Sequence, residues 1–150
     1  MKAFTPPTGE NMNRSTEPSL LPRTLSLAAL TNGSMIVFAL GLFPSLASVD
    51  PHFDRYGCLL IVLWGLAYQM SRGRCFELPE LMLVFAVEKG AYVSRWCHWF
   101  LQDARPPLSE IYEASPISAI FFSIYGLVDL SFMLCFSLIA FYGWRQRREG

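Results

Sequence analysis

The stretch PISAIFFSIYGLVDLSFMLCFSLIAFYG, residues 116–143, holds a single charge, Asp129, and lies inside a 31-residue interval between Glu113 and Arg145. A helix crosses a bilayer in roughly 20 apolar residues, so this segment predicts a membrane helix and decides the fold. Ser115 and Pro116 supply a capping residue followed by a first-turn proline, and Tyr142 and Trp144 mark a far interface. A soluble bundle would have to bury such a helix on nearly every face, and a chain of 150 residues lacks the interior for that.

Three more spans follow by working outward. Between Arg23 and Asp50 lie 26 uncharged residues, which predict a first span over about 25–48. Tyr56 to Ser71 is short, at 16 residues, and leans on Arg55 and Arg72 at its ends. The remaining span, about 78–96, is interrupted by Glu88 and Lys89, but Pro79 with Glu77 and Glu80 suits a helix start, and Trp96 and Trp99 suit an interfacial belt. The expected fold class is all-α: an integral membrane four-helix bundle over 25–144, with spans at about 25–48, 56–71, 78–96 and 116–143.

Composition agrees, at 53% hydrophobic and 16% charged, against about 25% charged in soluble domains. Twelve basic residues balance twelve acidic ones, so no net positive field exists to hold a nucleic acid. The basic residues divide unevenly. Lys2, Arg14, Arg23, Arg72, Arg74, Arg145, Arg147 and Arg148 fall on one side, and Arg55, Arg95 and Arg105 on the other. Positive charge is retained inside, so both termini are expected in the cytoplasm, with outward loops near 48–55 and 97–115. Residues 1–24, with Pro6, Pro7, Pro18 and Pro22, read as a mobile cytoplasmic tail, and 145–150 as a basic cytoplasmic C-terminus. The expected location is a bacterial inner membrane, crossed several times.

In lipid, close approach at small residues holds helices together. Ala29, Gly33, Gly41 and Ser45 fall at multiples of four in the first span, and Gly57 and Gly65 are eight apart in the second. These stripes serve packing within the bundle or a homo-oligomer surface.

Glu88 and Asp129 both lie near mid-span on consecutive antiparallel helices, where they can meet. An ionisable group there costs at least about 2.5–3.5 kcal/mol on insertion scales, so it faces the interior and takes a partner. Glu88, Tyr92, Arg95 and Trp99 share a helix face, and Tyr125 precedes Asp129 by one turn. Lys89, turned about 100° from Glu88, points toward Asp129 or the second span. Two acids and one base leave one carboxyl without a counter-ion unless Arg95 reaches it. Desolvation would then favour its neutral, proton-donating form. Glu88, Lys89, Asp129, Tyr92, Tyr125 and Arg95 are therefore the candidate ligand- or proton-binding residues, or else an ion-paired layer that sets helix register.

Other motifs are weaker. Asp50, His52 and Asp54 alternate as metal donors near His98, but Asp50-Pro51 is also a turn signal and Asp54 a helix cap. Both histidines lie near the surface, which excludes haem held at depth. Cys58, Cys75, Cys97 and Cys135 contain no Cys-x-x-Cys pair, and only Cys58 and Cys97 approach the same, outer face. No cofactor motif is present, while the aromatic residues around Asp129 suit a flat apolar ligand such as a quinone or a sterol-like molecule. In span number and size the layout resembles the small four-helix membrane proteins of the DoxX-like type, a likeness that carries over no function and no site.

The leading expectation is a small binding or accessory membrane subunit, alone, as a homo-oligomer or in a larger membrane complex. A proton-coupled carrier or channel component is the first alternative. A membrane enzyme using a carboxyl as general acid or base is the second, and it requires a lateral cavity beside Asp129.

Overall fold

The computed structural model describes residues 20–102 and 105–149, and these are all-α, with no strand among them. Residues 1–19 of the expected N-terminal tail lie outside the described residues. The helices are α1 (Leu21–Gly33), α2 (Ile36–Ala39), α3 (Arg55–Ser71), α4 (Pro79–Leu101), α5 (Leu108–Ala114) and α6 (Pro116–Glu149). One of them, α6, is long and apolar enough to cross a membrane, by length and composition.

The helix ends follow from local chemistry. Pro22 and Pro79 sit in the first turns of α1 and α4, where their missing N–H has no helical partner to lose. Asp54 accepts from the Gly57 backbone N–H at 2.7 Å and caps α3. Ser115 accepts from the Ser118 N–H at 3.3 Å and starts α6, which closes on Arg147 and Arg148 beside the negative end of its dipole.

Several expected boundaries shift. The segment 25–48 is not one helix: α1 ends at Gly33, the chain tightens through Ser34 and Met35 into α2, and Gly41 turns it with a φ of +74°. Gly33 and Ser34 are poor helix formers, and Pro44 confines the residue before it to extended backbone. Gly41 and Ser45 therefore leave the face of Ala29, and a Cβ on Gly33 would touch nothing. The small-residue stripe of the first span does not form. Residues 21–24, expected in the tail, open α1 instead, and 145–149, expected as a separate terminus, continue α6. The loop 97–115 begins as the last turn of α4 and contains α5.

Helix α4 packs along α6, and α1 packs along α3. The second pairing is close at Gly65, where a Cβ would stand 3.0 Å from the Ala29 carbonyl oxygen and from the Asn32 Cβ. Two apolar clusters result. The basal one gathers Leu25, Tyr68, Met82, Phe85, Phe136 and Ile139, and the apical one Met35, Leu46, Phe53, Ile61, Trp99 and Phe122. Asn32, Glu88, Lys89 and Asp129 are buried between them in chain register, a polar layer where the two apolar clusters meet.

Candidate binding site

Lys89 is the centre of the layer. Its side chain is 2% exposed, and its Nζ stands 2.7 Å from Asp129 Oδ1 and 3.9 Å from Glu88 Oε1. It donates to Asn32 Oδ1 at 2.9 Å, and Asn32 Nδ2 donates in turn to the Ile61 carbonyl at 3.2 Å. The Tyr68 and Tyr92 rings flank the ammonium, with centroids 5.6 and 5.7 Å away, a geometry in which ring quadrupoles attract a desolvated cation. Adjacent residues on a helix point about 100° apart, which lets Lys89 face α1 and α6 while Glu88 turns to α3. There Tyr68 donates its hydroxyl to Glu88 Oε2. Glu88 Oε1 is buried and accepts from nothing among the described residues.

Two members of this network, Asn32 and Tyr68, were not among the expected residues. Asn32 was legible as the one carboxamide in an otherwise uncharged, apolar stretch. Tyr68 carried no comparable mark, because it sits in the last turns of α3 among other polar residues.

Arg95 does not join the layer. It donates from Nε to Asp50 Oδ2 and from Nη2 to Asp50 Oδ1, both at 2.9 Å. The His52 backbone N–H donates to Asp50 Oδ1 at 3.0 Å, and His52 Nδ1 lies at the same distance. Burial alone would raise the Asp50 carboxyl, but the Arg95 guanidinium and the His52 contacts outweigh it and hold the group below its ordinary 3.8. Asp50 is thus the anchor of the Leu46–Asp54 segment, which seats Phe53 among Tyr92, Phe121, Phe122 and Tyr125.

The remaining metal candidates are otherwise engaged. Asp54 caps α3, and His98 Nε2 lies 2.8 Å from Gln102. Among the described residues no three His, Cys, Asp or Glu side chains gather as a metal site. Cys58 is buried and Cys97 exposed, with no disulfide between them.

A cavity of about 260 Å³ opens between α1–α2 and α6. Lys89, Asp129, Asn32, Tyr92 and Tyr125 line its polar side, Phe38, Phe53 and Phe121 its aromatic wall. At the rim stand Ile117, Ile120 and Ile124, each between 43% and 56% exposed. Glu88 does not reach it. Tyr125 is buried and its hydroxyl has no partner among the described residues. Of the three charged side chains, Asp129 is the most open at 12%, and no described residue hydrogen-bonds its Oδ2.

Compared with protein-family models, with curated proteins and with solved structures, the chain matches none.

Proposed function

We propose that the protein is a small multi-pass membrane protein that binds a lipophilic small molecule, holding its polar head in the cavity beside Lys89 and Asp129. The carrying observation is that cavity: a buried charged side, an aromatic wall and an exposed apolar rim on one path. Its volume lies just below the roughly 300–1,000 Å³ common for ligand pockets, enough for a single head group with its tail leaving past Ile120 and Ile124.

The membrane reading rests on α6 together with the outward faces of its neighbours. Leu59, Leu63 and Leu66 on α3, Val84 and Val87 on α4, and Leu127, Leu134 and Leu138 on α6 are all exposed, an apolar area out of place in water. In this reading α1 with α2, α3, α4 and α6 are the four crossings. The irregular backbone at Ser34 and Met35 is acceptable at depth because both residues line the cavity. The arginines at 72, 74, 145, 147 and 148 then mark the cytoplasmic end, with both termini inside.

Native mass spectrometry of the full chain, released from its host membrane in mild detergent, tests this. One small lipophile per chain is expected, and it should be absent from Val128→Trp, which fills the cavity. A ligand-free chain held by a larger protein would overturn the proposal and leave an accessory subunit. The cavity beside Asp129 also favours a second reading, a membrane enzyme using that carboxyl as general acid; conversion of the released lipophile on incubation distinguishes it from binding alone.

A further inference from the structure

The head group that fits can be named from charge and donor arithmetic, an inference that rests on the binding role proposed above. The layer contains two carboxyl groups and one ammonium. Arg95, the nearest other cation on α4, is committed to Asp50 by two hydrogen bonds, and no other Lys or Arg pairs with Glu88 or Asp129 among the described residues. One carboxyl is left without a counter-ion: alone it is held neutral by desolvation, and a second cation beside it would take the place of its proton, which leaves to solvent. In a low-dielectric interior an unmatched charge is costly, and a matching cation is correspondingly attracted.

The place for that second cation has an address. Glu88 is turned away from the cavity, whereas Asp129 lines it, with Oδ1 against Lys89 and Oδ2 without a donor. Aromatic side chains from four elements face the same space: Phe38, Phe53, Tyr92, Phe121 and Tyr125. Ring faces attract cations as they already do around Lys89. A head bearing only acceptors, such as a quinone, leaves Asp129 Oδ2 unpaired, and an anionic head adds a negative charge with no cation to match it.

We propose that the cavity takes a protonated lipophilic amine, its ammonium donating to Asp129 Oδ2 within the aromatic wall and its apolar tail leaving past Ile120 and Ile124. Charges then alternate from Glu88 through Lys89 and Asp129 to the ligand, and the layer is neutral with no proton on either carboxyl.

The test is equilibrium binding to the full chain in lipid nanodiscs, using octylamine, octanol, octanoate and a short-chain alkyl benzoquinone, with empty nanodiscs as the blank. Octylamine is expected to bind at least about tenfold more tightly than octanol, with octanoate weakest. Asp129→Asn and Glu88→Gln each leave Lys89 with a single carboxyl partner and no second carboxyl for another cation, so each should bring octylamine to within about threefold of octanol. The two variants are independent, so one remains if the other fails to fold. Equal binding of octylamine and octanol to the unmodified protein, or a preference unchanged in both variants, overturns the amine assignment; a proton retained on Glu88 would produce the former. Tightest binding by the benzoquinone overturns it in favour of an acceptor head. In each of those cases the cavity reading stands, provided that Val128→Trp abolishes binding. Binding of all four probes undiminished in Val128→Trp, or no binding above empty nanodiscs, removes the cavity reading itself.

Discussion

Asp50 and Asp129 are both buried carboxylates facing a cation from α4, and they differ in what is left unpaired. Asp50 is closed: both oxygens accept from Arg95, and the His52 backbone N–H adds a third bond. Asp129 lines the cavity with one ion pair, at 2.7 Å through Oδ1, and no described residue serves its other oxygen. The planar guanidinium fork engages both oxygens of a carboxylate, whereas an ammonium is a point charge shared among neighbours. Arg95 therefore makes a strut and Lys89 makes a hub. The strut ties the Leu46–Asp54 segment to α4, and the hub leaves chemistry unspent.

The largest break in this comparison is Lys89→Met. It strands two carboxylates between the apolar clusters, and removing one partner from a buried ionic group costs about 3–5 kcal/mol. Unfolding in mixed micelles should show that loss. Adding Glu88→Gln and Asp129→Asn to the same chain should recover most of it, because the buried charge is then gone. No recovery would mean that Lys89 matters for its packing against Tyr68 and Tyr92 rather than for its charge.

Asp50→Asn should cost less, about 1.5–3 kcal/mol, the range for hydrogen bonds to charged groups. Arg95 is 29% exposed at its side chain and can turn to water. The preference for octylamine over octanol should be unchanged, since Asp50 lies outside the layer that sets it. A collapse of that preference would show the strut and hub to be coupled through Phe53.

Gly126→Ala tests the helix pairing that carries both sites. A Cβ at Gly126 would overlap the Trp96 indole, whose Nε1 donates to the Phe122 carbonyl at 2.9 Å. Overpacking of this kind costs about 1–3 kcal/mol, and a red-shifted tryptophan emission should report the displaced indole. Unaltered emission and stability would mean that α4 and α6 shift apart without strain.

The smallest effect is the pH dependence of the strut. Because the folded Asp50 pKa lies below its ordinary 3.8, the folded state binds its proton less readily than the unfolded chain. The stability it contributes is full above that ordinary value and is lost as pH falls through the folded value. The stability gap between the unmodified chain and Asp50→Asn should thus be level at pH 5–8 and narrow below about pH 4. A gap that stays level on further acidification would overturn this account.

Much of the outline was legible in the residues. Long apolar runs between charges mark where helices α3, α4 and α6 form, because backbone hydrogen bonding and apolar burial both act over one turn or one face. The lone charges inside those runs mark the polar layer, because Glu88, Lys89 and Asp129 are expensive there and need partners. The first span was misread for a local reason: Gly33, Ser34, Gly41 and Pro44 outweigh its hydropathy, so charge-free length did not translate into one helix.

Partner choice is a different matter. Spacing along α4 placed Arg95 on the face of Glu88 but left open whether it would reach down to that carboxyl or out to another, and nothing in the spacing joined Asp50 to Arg95 across 45 positions. Asn32 and Tyr68 entered the layer because α1 and α3 approach closely at Gly65 and present both side chains to Lys89. Helix position and charge count are thus properties of the chain itself. Which of the two aspartates is closed and which remains open is decided only when separate helices pack, because distance and direction between side chains exist only in the folded molecule.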